Sequence, residues 1–211
     1  MASKRNVEDE ILDAARVCVE AFGVRRTTLT DVARRAGVSR PTVYRRWPDV
    51  TALVADLLTR ELRRILVAEE AKAEGEARAG AGAAGEGATT EKGPADNVRT
   101  QLVRHAAGVA RAMLAHPLVN RIVDTEPELL ATYTFHRLGS SHRAAFDLVE
   151  PAIAAGQAEG SVREGDPAVL AHLFMVTVQN TVTSRRLFTD VLDSGGLVDE
   201  LSVLLDGYLR P

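Results

Sequence analysis

Between residues 25 and 46 the chain places seven arginines, at 25, 26, 34, 35, 40, 45 and 46, against one acid, Asp31. Guanidinium groups at that density neutralise phosphates, and a single one can also bond guanine O6 and N7 together. The whole chain carries a formal net charge of −3, so this positive charge is local rather than general. A basic stretch in an otherwise slightly acidic chain is the electrostatic footprint of a nucleic-acid surface.

Two short helices must position these side chains. Thr28 followed by Asp31 resembles a capping box and starts the first. The corner Ala36-Gly37-Val38-Ser39 ends it, with Gly37 able to take a positive φ. Ser39 or Arg40 starts the second helix, about Arg40 to Trp47, and Pro41 occupies its first turn, where a missing N–H costs nothing. Val32, Ala33, Ala36, Val38 and Val43 are the apolar positions that pack the pair. Thr30, Arg34, Arg35, Arg40, Thr42, Tyr44, Arg45 and Arg46 are left for the outer face. Two helices joined by a short Gly-containing turn are a helix-turn-helix. Arg40 and Arg46 are the foremost candidates to read bases or grip the backbone, and Trp47 suits a core anchor.

The run LTDVARRAGVSRPTVYRRWPDVTALV resembles the DNA-binding segment of the TetR/AcrR family of bacterial one-component repressors. The similarity rests on the Ala-Gly-Val corner, the Pro-Thr-Val-Tyr opening of the second helix and the aromatic-Pro-Asp run that follows. It spans roughly residues 7 to 66. The resemblance implies an interface built from Thr28, Thr30, Arg40, Pro41, Thr42, Tyr44, Arg45 and Arg46. Within it, Arg40, Pro41 and Thr42 would face the major groove, Tyr44 a phosphate and a thymine methyl, and Thr30 a phosphate. Family members usually carry a Lys at the start of the next helix for a phosphate contact. Val50 and Thr51 stand there in this chain.

The remaining residues read as helices throughout, which makes the chain all-α. Residues 1–48 form a three-helix DNA-binding domain, and residues 49–211 form a larger effector-binding and dimerisation domain. Asn6 caps a first helix with apolar residues at 11, 12, 15, 18, 19 and 22. Asp49 caps a fourth helix that runs to about Glu70 or Lys72 on the stripe Leu53, Val54, Leu57, Leu58, Leu62, Ile65 and Leu66. Residues 74–95 lack any bulky apolar side chain and read as a flexible loop. Helical spacing resumes near Ala95 or Asp96 and stops at His116-Pro117. Short helices over 118–123 and from Glu126 through Phe135 precede one over 143–158. Asp166-Pro167 then opens a helix reaching about residue 188. Gly195-Gly196 separates it from a last helix over 197–209. Both final helices carry more apolar surface than one stripe needs, so they are expected to pair with a second copy. The resemblance implies the same homodimer.

Other chemistry is excluded or scarce. The chain has no Gly-rich phosphate loop, no nucleophile elbow and no zinc-type Cys/His spacing, so no enzyme, metal or cofactor is expected. The five histidines make no i, i+4 pair. Cys18, the single cysteine, lies on the apolar face of the first helix and reads as an inert buried thiol in a reducing cytoplasm. No apolar run reaches the roughly 18 to 20 residues of a membrane span. The resemblance places a small-molecule effector among residues 96–188, with Met113, Phe135, Phe146, Phe174, Met175 and Gln179 as candidate lining. The apolar stripes there favour a hydrophobic or aromatic effector. The expected function is a sequence-specific regulator, a repressor released from a palindromic operator by that ligand. The alternative is a DNA-binding protein with no effector.

Overall fold

The protein is described by a computed structural model covering residues 4–82, 97–126 and 140–211. Among these residues every regular element is helical. They are α1 (Lys4–Phe22), α2 (Leu29–Arg35), α3 (Arg40–Tyr44), α4 (Val50–Gly82), α5 (Val98–Ala115), α6 (Pro117–Thr125), α7 (Ser140–Ala158), α8 (Pro167–Thr183) and α9 (Ser194–Leu209). Single 3₁₀ turns lie at Val24–Arg26 and Arg185–Leu187. None of the described helices is long and apolar enough to cross a membrane.

The chain divides into two compact units, Met1–Leu62 with Ala115–Ser141, and Arg63–Leu114 with His142–Pro211. The first is drawn wider than a domain ending at residue 48, and its core shows why. Leu53, Val54, Leu57 and Leu58 of α4 bury completely or nearly so beside Ile11, Ala15, Val19, Val32, Val43 and Trp47. Leu118 and Ile122 of α6 close the same cluster. Truncating one such side chain to Ala costs about 2–5 kcal/mol, so the first turns of α4 are structural parts of this unit. Trp47 is 2% exposed and its Nε1 donates to Asp56 Oδ2 at 2.9 Å, as expected of a core anchor. Cys18 is likewise buried, and burial raises its thiol pKa.

One carboxylate in this unit is buried. Glu61 takes a position on the apolar stripe of α4 and is only 2% exposed. It accepts from Arg60 Nε and Nη2 at 3.1 and 2.8 Å, and it lies 3.9 Å from Arg16 and 3.7 Å from His116 Nε2. Arg60 also reaches Asp9 and Asp13 of α1. The charge is therefore compensated from α1, α4 and the α5–α6 junction, the condition under which a buried carboxylate is tolerated.

The second unit has its own core. Leu102, Ala106, Ala110, Val149, Ile153, Leu170, Phe174, Val178, Leu201, Leu205 and Leu209 are among its buried members. Helices α8 and α9 pack on each other and still leave apolar residues outside. Val169, Leu173 and Val176 on α8 and Val203 and Leu204 on α9 are each about half exposed or more.

Several boundaries differ from the sequence expectation. Helix α1 begins at Lys4, so Asn6 lies inside it; the preceding Lys and Arg are good helix formers. Helix α4 continues to Gly82, so residues 74–82 are helical rather than loop. The Ala, Glu and Arg of that stretch favour a helix strongly enough to offset its three glycines. Residues 83–95 lie outside the described residues, as does most of the helix expected from Glu126 through Phe135. Asn97 caps α5, accepting from Thr100 N at 2.9 Å. Helix α8 stops at Thr183, so Leu187 and Phe188 lie beyond it. Asp193 accepts from Gly196 N at 2.7 Å and caps α9, drawing Gly195 and Gly196 into its first turn. First-turn amides need no intrahelical partner, so glycine is tolerated there.

Candidate nucleic-acid interface

The expected corner forms from local hydrogen bonds. Thr28 has extended backbone and its Oγ1 accepts from Asp31 N at 3.1 Å, capping α2. The same hydroxyl lies 2.6 Å from Asp31 Oδ2, and Arg34 Nη2 donates to Asp31 Oδ1 at 2.7 Å. The helix closes with Ala36 N to Val32 O at 2.8 Å and Val38 N to Ala33 O at 3.0 Å. Gly37 supplies the φ of +68° that this closure requires. Ser39 then caps α3, its Oγ accepting from Thr42 N at 3.4 Å. Pro41 falls in the first turn. Val32, Ala33 and Val43 are buried, which fixes α2 and α3 against α1 through the shared core.

Helix α3 is shorter than the expected span to Trp47. It ends at Tyr44, and a tighter turn with Arg46 N to Val43 O at 3.0 Å leads into Trp47. Trp47 has to bury, and the change of winding swings it into the core while Arg45 and Arg46 stay outside.

The outer face then holds Thr28, Arg40, Pro41, Tyr44, Arg45 and Arg46 exposed, with Thr30 and Thr42 half-buried. Tyr44 is 52% exposed, a large value for an aromatic ring in a structured helix. Arg40 and Arg45 make no ion pair or hydrogen bond with any described residue. Arg46 differs. Its Nη2 donates to Glu8 at 3.2 Å and lies 4.0 Å from Asp56, and its guanidinium sits 5.8 Å from the Trp47 ring centroid. The hydrogen bond it donates to Glu8 raises the Arg46 pKa further. Thr42 Oγ1 is engaged with Ser39 Oγ at 2.7 Å. Glu8 as a holder of Arg46 escaped the sequence reading, because the two are 38 residues apart.

The start of α4 bears on the missing Lys. Asp49 Oδ1 accepts from Ala52 N at 2.7 Å and Val50 packs against the core of the first unit. An apolar side chain at this place buries instead of reaching outwards.

The six effector-lining candidates do not share one setting. Phe174 is fully buried in the core of the second unit, and Met113, Phe146 and Met175 pack against that core partly buried. Phe146 also stacks on His172 with ring centroids 4.1 Å apart. Gln179 is half-buried on α8. Phe135 lies outside the described residues. No group of three or more His, Cys, Asp or Glu among the described residues is placed to hold a metal ion.

Comparison with known proteins bears on this geometry. The family model for bacterial regulatory proteins of the tetR family matches residues 11–57. An uncharacterized HTH-type transcriptional regulator of Mycobacterium tuberculosis is 35% identical over 199 residues, covering 94% of this chain and 92% of the relative. Among solved structures, the transcriptional regulator FadR from Bacillus subtilis in complex with stearoyl-CoA superposes with a TM-score of 0.63. It covers 96% of this chain and 99% of its own at 15% identity. SmeT, the repressor of a Stenotrophomonas maltophilia multidrug efflux pump, gives a TM-score of 0.62, covering 97% and 90% at 20% identity. At these identities the structural likenesses speak for the fold alone.

Proposed function

The chain belongs to the TetR family of bacterial helix-turn-helix transcriptional regulators, not to an enzyme family, and from that premise we propose that it is a dimeric repressor. It binds a palindromic operator and leaves it when a small hydrophobic ligand binds. The exposed outer face of α2 and α3, with Arg40 and Tyr44 unobstructed, is the observation that carries the DNA side of this reading. Helix α3 enters the major groove. Arg40 reads a guanine edge, with Pro41 and Thr42 beside it at the start of the helix. Thr28, Thr30 and Tyr44 hold phosphates through their hydroxyls, and Arg45 adds a phosphate-side charge. Arg46 reads bases or backbone only by giving up Glu8, so it ranks behind Arg40.

Dimerisation follows from the apolar residues that α8 and α9 leave outside. Val169, Leu173 and Val176 recur at helical spacing on one face of α8, and Val203 and Leu204 line α9. Covering them with a second copy makes a four-helix bundle and presents two α3 helices to half-sites about one helical turn, roughly 34 Å, apart. The protein then acts in the cytoplasm, where the operator is.

Ligand release requires a pocket whose occupancy differs between the DNA-competent and incompetent conformers. Met113, Phe146 and Met175, partly buried against the core that contains Phe174, would supply apolar, adaptable lining for it. One protein of the same fold is solved in complex with stearoyl-CoA, so a hydrophobic effector is the class to test first. Helix α4, continuous from one unit into the other, carries the change. Footprinting on DNA flanking the protein's own gene tests this reading. Two protected half-sites related by a two-fold axis, lost together on adding an apolar ligand, are expected. Protection of a single half-site, or a footprint that no apolar compound alters, contradicts it.

A further inference from the structure

Phe22 ends α1, and Gly23, at φ +79°, turns the chain at once into the 3₁₀ turn Val24–Arg26. Val24 buries in that turn, which leaves Arg26 outside and Phe22 57% exposed. Helix α2 packs against α1, and its Asp31, Arg34 and Arg35 share one face at i, i+3 and i+4. Between these pieces lies an open groove of about 460 Å³, lined by Cys18, Phe22, Arg26, Asp31, Arg34 and Arg35. All six belong to the first unit, and none comes from α3.

The charge balance of the groove is one-sided. Three guanidiniums line it against one carboxylate, Asp31. That carboxylate is committed, since Arg34 Nη2 donates to it at 2.7 Å and the Thr28 hydroxyl at 2.6 Å. Arg34 is thereby spent as well. Arg26 and Arg35 remain, both exposed and neither in an ion pair or side-chain hydrogen bond with a described residue. Cys18, 3% exposed, is the floor. Burial raises its thiol pKa against the pull of Arg35, so the floor stays neutral and does not repel an anion. Phe22 is the one large apolar side chain in the lining.

Guanidinium groups bind carboxylate oxygens through paired N–H donors. The apolar part of a ligand has to be compact and flat here. A ring can stack on Phe22 and on a planar guanidinium, whereas a long chain finds no wall to lie along. We propose that the α1–α2 groove is a binding site for a small aromatic carboxylate. Arg26 and Arg35 hold the carboxylate, and the ring lies against Phe22. The site shares no residue with the DNA contacts or the effector lining proposed above, and it rests on neither.

Isothermal titration of the full-length protein tests the assignment, with naphthoate, naphthalenemethanol and acetate as probes. Naphthoate should bind, with affinity falling as salt rises. Naphthalenemethanol and acetate should bind at least about tenfold more weakly, each lacking one half of the recognition. The R26Q/R35Q double variant should lose about tenfold or more in naphthoate affinity, and F22A about two- to tenfold. Both replace exposed side chains, and thermal melting checks that they are folded; should R26Q/R35Q not be, R26Q alone is read the same way. No naphthoate binding by the wild type overturns the proposal. So does unchanged naphthoate affinity in a folded arginine variant or in F22A, or naphthalenemethanol binding as tightly as naphthoate.

Discussion

At the scale of single residues, the arginines of the interface are not equivalent. Arg40 stands exposed at the start of α3 with no ion pair to a described residue, whereas Arg46 is drawn back to Glu8. Arg40→Ala should therefore weaken operator binding by about 1–3 kcal/mol, roughly 5- to 160-fold, and relax discrimination at one base pair. Arg46→Ala should cost clearly less, and fluorescence anisotropy with matched and single-mismatch duplexes separates the two. The density of arginines and the capping signals made this surface legible in the sequence. The restraint on Arg46 was not, because it depends on a contact between helices far apart in the chain. Glu61 escaped for a different reason: its place on the apolar stripe of α4 was visible, but its partners Arg16 and His116 come from other elements. His116 is faced by Glu61, Arg16 and Glu20, and its buried Nδ1 has no hydrogen-bond partner among the described residues. Burial holds its pKa below the ordinary 6.5, with the Arg16 charge acting in the same direction and the carboxylates against it. The unfolded chain thus takes up the proton first as pH falls through 6.5. His116 costs the fold nothing above that pH and destabilises it progressively below, down to its folded pKa. Urea denaturation between pH 7.5 and 5 should show this loss, and His116→Gln should flatten it.

At the scale of elements, two short helices depend on their ends. Helix α3 is five residues long and gains little from its own hydrogen bonds, so its cap matters. Ser39→Ala should cost about 0.5–2 kcal/mol of stability by removing the acceptor for Thr42 N. Gly37→Ala meets no steric neighbour but forces a side chain into φ +68°, which should cost about 1 kcal/mol or more. Denaturant midpoints for the two variants check both values. Helix starts marked by Thr28, Ser39, Asp49 and Asp166 were legible because a side-chain acceptor at the cap is a local fact. Helix ends were less so. The extension of α4 to Gly82 follows from propensity where no packing signal exists, and Asp193 rather than Gly195-Gly196 sets the start of α9.

At the scale of the whole molecule, the account requires a second copy. The all-helical class and the wide apolar surface of α8 and α9 were readable from periodicity, whereas the side left uncovered is fixed only by tertiary packing. Leu173→Glu places a charge at an exposed position on α8, so the isolated subunit should still fold. Sedimentation should show this variant as a monomer, and its operator affinity should fall to that of a single half-site. The most direct test of the central claim is competition anisotropy on the duplex flanking the protein's own gene, at fixed salt. The account predicts two protomers per site and a preference of about 10³-fold or more over unrelated duplex. Equal affinity for both duplexes at every salt concentration would contradict it.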